Sequence, residues 1–152
     1  MTPIVSRTLP IVARTGLGLT FATLGLNKLV PFLPQPPISG APAEFFGALF
    51  ATGYMIPLIA ATEIAGGAML LSGRFVPLAL ALLAPVIVNI LGFHLFLAHG
   101  GLAIPLVVLA LELYLAWMHR DAFAPMLQMR SVPRRAAPRS VGARELTVAT
   151  AR

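Results

Sequence analysis

The stretch that decides the fold is Tyr54-Met-Ile-Pro-Leu-Ile-Ala-Ala-Thr-Glu-Ile-Ala-Gly-Gly-Ala-Met-Leu-Leu71, an apolar run with one carboxylate, Glu63, near its centre. Spanning the bilayer core takes roughly 20 helical residues, and about 17–25 are tolerated. A bare carboxylate in hydrocarbon costs from about +3 to above +10 kcal/mol. Glu63 must therefore pair with a cation, take up a proton or face a polar cavity. This makes it the first candidate for a functional residue.

Composition places the whole chain in the same class. Of its 152 residues, 58% are hydrophobic and 11% charged, with a mean hydropathy of +0.88, whereas soluble domains are about 25% charged. The absence of cysteine excludes disulfides, thiol redox chemistry and thiolate metal sites. The net charge of +6 does not indicate a specific nucleic-acid partner, because seven of the eleven Lys and Arg residues follow the last apolar run. They are Arg120, Arg130, Arg134, Arg135, Arg139, Arg144 and Arg152.

Four apolar runs predict an all-α membrane protein. They are Leu9–Leu29, Tyr54–Leu71, Phe75–Leu97 and Leu102–Met118. Connections of a few residues join the last three runs, and such short connections make neighbouring helices antiparallel. We therefore expect an up-down four-helix bundle. The first run could instead be a cleaved signal peptide, although no clean cleavage site follows it.

Two further segments lie outside the four runs. Pro42, Glu44 and the regularly spaced Phe45 and Phe46 predict a short interfacial or re-entrant helix over residues 43–52, and a loop with an aromatic edge is the alternative. Residues 130–152 lack any apolar period and predict a disordered Arg-rich cytoplasmic tail attached to a membrane domain of residues 1–129. The bias of Lys and Arg around the runs places both termini in the cytoplasm.

Helical spacing puts polar side chains on inward faces. Arg14 and Lys28 share one face of the first helix with Gly18 and Gly25, which would let a neighbouring helix approach closely. Glu63 is likewise flanked by small residues. The other candidates for ligand binding or ion pairing are Asn89, His94 and Glu112.

Depth along the helices then predicts which side chains meet. Counting ~1.5 Å per residue places Arg14, Glu63 and Glu112 together in the cytoplasmic half, with Glu63 ionised and paired with Arg14. Lys28, Glu44 and His94 would lie near the outer rim, and Asn89 between the two groups. Structural pairing and a ligand or proton role both remain open for the buried cluster. The three histidines are scattered along the chain, so the sequence predicts no metal site. It does not identify catalytic residues.

Three stretches resemble the DoxX family of small bacterial membrane proteins. They are Gly25-Leu-Asn-Lys28, the segment Thr52–Glu63 with its continuation to Phe75, and Ala84–Leu97. The resemblance extends over roughly Val12 to Leu127, and it implies a four-helix protein of the bacterial inner membrane. The positions that match the family are Arg14, Gly25, Lys28, Glu63 and Asn89.

The resemblance also implies two readings of function. Some relatives are linked to sulfur-compound oxidation that feeds electrons to quinone, or to membrane-associated oxidative-stress complexes. One reading is therefore an accessory subunit that binds quinone or another small lipophile beside a membrane or redox partner protein. The other is a non-enzymatic scaffold or assembly factor. The chain contains no haem-ligand or nucleotide motif, so a redox role would need quinone or a partner subunit, and the oligomeric state stays open.

Overall fold

The structure is a computed structural model that describes residues 3–34, 37–98 and 100–127, with side chains from residue 8 onward. These residues form helices and contain no strand. The helices are α1 (Pro3–Leu29), α2 (Ala41–Ala51), α3 (Met55–Ser72), α4 (Val76–Phe96), α5 (Ala103–Met118) and α6 (Arg120–Phe123), followed by a 3-10 turn at Ala124–Leu127. The predicted tail, residues 130–152, lies outside the described residues.

Three helices are long and apolar enough to cross a membrane. They are Thr8–Leu29 within α1, then α3 and α4. The fourth predicted span is less regular, because α5 has 16 residues and the chain then bends by 76° into residues Arg120–Met126. The described chain therefore has three candidate spans, or four if the bent pair counts as one. With four spans, both ends of the bundle lie on the same side of the membrane; with three spans, they lie on opposite sides.

The long helices surround one apolar core. α1 packs against α3 and α5, and α4 packs against the same two helices. The largest fully buried side chains come from all four helices: Leu17, Phe21, Glu63, Leu70, Leu80, Leu83, Ile87 and Leu115. Glu63 is the only charged side chain among them. Large apolar side chains also cover the outside of the helices, including Leu19, Leu58, Leu78 and Val107, as expected of a lipid-facing surface.

α1 and α3 make the closest contact in the molecule, and small residues allow it. A Cβ atom built on Gly67 would lie 2.6 Å from the backbone nitrogen of Ala22, and one on Gly18 would lie 3.1 Å from the carbonyl oxygen of Gly67. Side chains at these positions would force the helices apart. The predicted packing role of Gly18 and Gly25 is thereby confirmed. Because Gly18 faces Gly67 and Gly25 faces Ala60, the two helices run antiparallel.

Candidate functional site

A buried ion pair joins α1 to α3. The ammonium of Lys28 donates to both carboxylate oxygens of Glu63, at 2.9 Å to Oε1 and 2.6 Å to Oε2. The side chain of Glu63 is 1% exposed and that of Lys28 is 26% exposed. The acid is therefore enclosed by protein, while its partner reaches the surface near the end of α1.

A glycine beside the ion pair fixes its position. A Cβ atom on Gly25 would lie 3.0 Å from the Cβ of Glu63 and 2.9 Å from the carbonyl oxygen of Ala60. Both approaches are closer than normal van der Waals contact, so a larger residue at Gly25 would push α3 away. The close contact brings the Glu63 backbone near α1, and Lys28, three residues beyond Gly25, then reaches the carboxylate.

An open groove lies beside the exposed part of Lys28. It has a volume of about 310 Å³ and lies where the C-terminal ends of α1 and α2 meet the start of α3. Lys28 is the one charged residue that lines it; the other lining residues are Leu29, Leu49, Phe50, Gly53, Ile56 and Pro57. We call this feature the Lys28 groove. Its side chains other than that of Lys28 are apolar, although polar atoms form a substantial part of its surface.

The predicted pairing of Glu63 with Arg14 is wrong. The guanidinium of Arg14 lies against Gly73, at the turn after α3, whereas Glu63 lies level with Gly25. Eleven residues separate Arg14 from Gly25 along α1, which corresponds to about 16 Å of helix. Arg14 and Lys28 do share a face of α1, but Arg14 is at the wrong height to reach the acid. The error came from assuming that Leu9 and Leu71, the inner ends of the two runs, lie at the same height, whereas Arg14 itself lies level with the end of α3.

Glu112 does not complete the predicted cluster. Its side chain is 5% exposed, and its Oε2 atom has no hydrogen-bond partner. Within the described residues, Glu112 forms an ion pair with neither Arg14 nor Lys28. The structure therefore leaves this carboxylate buried and without a protein cation beside it.

The predicted outer group of Lys28, Glu44 and His94 is also not assembled. Lys28 is bound to Glu63, and Glu44 is exposed in the first turn of α2. His94 is half-buried, with Nδ1 2.8 Å from the carbonyl oxygen of Ile90, and its ring packs edge-on against Phe93. His94 thus has a local structural partner.

Asn89 faces outward and not into the common interior that we predicted. It lines an open aromatic groove of about 430 Å³ together with Phe45, Val88, Gly92, Phe93, Phe96 and Leu97. Phe45 and Phe46 of α2 both contact the ring of Phe93, with centroids 5.6 and 5.2 Å away. α2 is thereby held against α4 by aromatic side chains, which fits the predicted helix over residues 43–52.

Sequence reasoning missed Asn27. This side chain is 7% exposed, and its Oδ1 accepts hydrogen bonds from the backbone N–H groups of Phe32 and Leu33 at 2.9 and 2.8 Å. It ties the chain leaving α1 back to the helix, directly beside Lys28. An amide immediately before a proline-rich segment is a signal for such a turn.

The described residues contain no group of three or more His, Asp or Glu side chains that could hold a metal ion. The buried acids of the described part of the chain are Glu63 and Glu112.

Comparison with known proteins gives one match. The model of the DoxX family matches residues 9–100, which include α1 from Leu9 onward, α2, α3 and α4, and with them Arg14, Lys28, Glu63 and Asn89. Glu112 and α5 lie beyond the matched part. No curated protein and no solved structure matches the chain.

Proposed function

Because the chain belongs to the DoxX family, we propose that it is a multi-pass protein of the bacterial inner membrane that binds a small lipophilic molecule, of the quinone class, in the Lys28 groove. In this proposal the chain is an up-down four-helix bundle with both termini in the cytoplasm. It acts as an accessory subunit, and any electron transfer takes place with a partner protein.

One observation carries the proposal. Lys28 is held by a buried carboxylate and at the same time lines a groove whose other side chains are apolar. Ligand sites commonly combine apolar walls with a few well-placed polar groups. Glu63 fixes the ammonium by two hydrogen bonds, which leaves a third N–H donor free to point elsewhere. A quinone carbonyl is an acceptor that such a donor would bind.

The size of the groove fits the head of such a molecule. Ligand pockets are typically about 300–1,000 Å³, so a groove of about 310 Å³ accommodates a ring-sized head group and little more. The groove is open, and a hydrocarbon tail would extend from it into the surrounding lipid. A lipophile with one polar end is therefore a better fit than a soluble, polar substrate.

The test is retention of the ligand during purification. The full chain is purified from its native membrane in a mild detergent, and extracted lipids are analysed by mass spectrometry. We expect near-stoichiometric quinone with the wild type and a loss of at least about tenfold when one charge-assisted hydrogen bond is removed in Lys28→Met. Glu44→Gln, which changes an exposed acid on α2, is the matched control and should retain the quinone.

The proposal fails if the wild type carries no quinone, or if Lys28→Met and the wild type retain it equally. The Lys28→Met variant can be destabilised by the stranded Glu63. The charge-free double variant Lys28→Met, Glu63→Leu therefore repeats the test without an unpaired acid.

A second function is favoured by the glycine contacts. Gly18, Gly25 and Gly67 hold α1 and α3 so close that the Lys28–Glu63 pair can simply fix their register. The chain would then be a scaffold or assembly factor that engages a partner helix. Restoration of cellular function by the charge-free double variant would support this role, and a stable but inactive double variant would support ligand binding.

A further inference from the structure

The turn between α3 and α4 carries positive charge that the Lys28 groove does not use. Arg14 reaches this turn from α1, and its guanidinium lies against Gly73. Arg74 is the next residue and is exposed. In the described part of the chain, neither arginine forms an ion pair with a carboxylate. Two cations at one turn are thus left without a counter-charge from the described residues.

The backbone of the turn is shaped to receive Arg14. Gly73 has a φ of 69°, a left-handed conformation that favours glycine, and a Cβ atom there would overlap Nη1 of Arg14. The Nε atom of Arg14 is buried and has no hydrogen-bond partner. A guanidinium has five N–H donors in a planar fork that matches carboxylate and phosphate oxygens. The structure therefore holds this fork in place against Gly73, and its Nε has no hydrogen-bond partner among the described residues.

The turn lies at the depth of lipid head groups. It joins two candidate membrane spans, α3 and α4, so it falls where both leave the hydrocarbon. At the same end of the core, Trp117 lies in the last turn of α5, and the guanidinium of Arg120 lies 5.5 Å from its ring centroid. Tryptophan and arginine are typical of the membrane–water interface.

We propose that Arg14 and Arg74 bind the phosphate of an anionic phospholipid head group at the α3–α4 turn. Arg14 supplies a guanidinium that is held in place against Gly73, and Arg74 supplies a second, exposed cation. This inference rests on α3 and α4 crossing the bilayer, and it does not depend on which ligand occupies the Lys28 groove.

Native mass spectrometry of the full chain in detergent tests the proposal. Phosphatidylglycerol and phosphatidylcholine with matched acyl chains are titrated separately. We expect one phosphatidylglycerol to bind at least about tenfold more tightly than phosphatidylcholine. Arg14→Gln and Arg74→Gln should each weaken its binding by about tenfold, the usual effect of losing a charge-assisted hydrogen bond. The control Arg120→Gln removes a cation that lies against the ring of Trp117. It should change the affinity for phosphatidylglycerol by less than about twofold.

Equal binding of the two lipids to the wild type would overturn the proposal. An equal loss of phosphatidylglycerol affinity in Arg120→Gln and Arg14→Gln would also overturn it, because that result indicates a diffuse basic surface and not a site at the turn. Displacement of phosphatidylglycerol by millimolar inorganic phosphate would assign the site to free phosphate and overturn the lipid assignment. If Arg14→Gln does not fold, the exposed Arg74→Gln variant decides alone. Arg14→Gln and Arg74→Gln should retain quinone as the wild type does. A failure of the lipid proposal can therefore be distinguished from a failure of the quinone proposal at the Lys28 groove.

Discussion

At the scale of single residues, the two partners of the buried pair are not equivalent. Glu63 is enclosed, whereas Lys28 is near the end of α1 and partly exposed. Removing one partner of a buried pair typically costs about 3–5 kcal/mol, because the other charge is stranded. A lysine near a helix end can instead extend its ammonium to the interface. The cost should therefore depend on which partner is removed.

We expect Lys28→Met to lower the free energy of unfolding by up to about 3–5 kcal/mol, and Glu63→Leu to lower it by distinctly less. The double variant should recover most of the loss because no charge is left unpaired. Unfolding in mixed detergent micelles, followed by circular dichroism, measures all three. Losses that simply add in the double variant would contradict the pairing.

Lys28 is the only lysine in the chain, which allows a direct test of the contact. A zero-length carbodiimide reagent should join Lys28 to Glu63 through an amide bond, and mass spectrometry of the digested protein should identify one cross-linked peptide. As a control, Arg14→Lys in a Lys28→Met background places the lysine about 21 Å nearer the start of α1. A cross-link from that position to Glu63 would refute the register described above.

At the scale of the helices, the α1–α3 contact depends on particular glycines. Replacement of Gly67 by Val should destabilise the protein by about 1–3 kcal/mol, as overpacking commonly does, because the new side chain would meet the backbone of Ala22. Gly16→Val on the same pair of helices is the matched control, since a Cβ atom there has no neighbour within 4 Å. Thermal unfolding in detergent compares them. A Gly67→Val variant as stable as Gly16→Val would show that the helices are not in close contact.

The helices and the inward face of α1 could be predicted from the sequence, but the relative heights of the helices could not. Hydropathy identified the apolar runs, and the 100° step of a helix put Arg14 and Lys28 on one face. The relative height of two packed helices depends on which small residues of one helix contact the small residues of the other. Aligning Gly18 with Gly67 places Lys28 level with Pro57 and Arg14 level with Leu71, because each residue gained on one antiparallel helix is matched by one lost on the other. Side chains lean toward the N-terminal end of their own helix, so Lys28 and Glu63 lean toward each other, whereas Arg14 leans away from Glu63. Asn89 was misplaced because α4 is apolar on nearly all sides, so spacing alone did not reveal its buried face.

At the scale of the whole molecule, the membrane topology determines which side of the membrane each of the two proposed sites faces. The Lys28 groove and the α3–α4 turn lie at opposite ends of α3, so the first should open toward the outer leaflet and the second toward the inner one. Reporter fusions after Gln35 and after Arg130 should report the periplasm and the cytoplasm, respectively. Two fusions in the same compartment would refute a four-span arrangement and indicate that the bent α5–α6 segment does not cross.

The separation of Lys28 and Glu63 along the chain has a consequence for biosynthesis. The two residues are 35 positions apart, so the ribosome completes α1 well before it delivers the acid. The emerging first helix must therefore enter the translocon carrying an unneutralised lysine, which its position near the helix end allows to stay among the head groups. Arrival of α3 then completes the pair. We expect the helical hairpin, and not the first helix alone, to be the unit that leaves the translocon for the lipid.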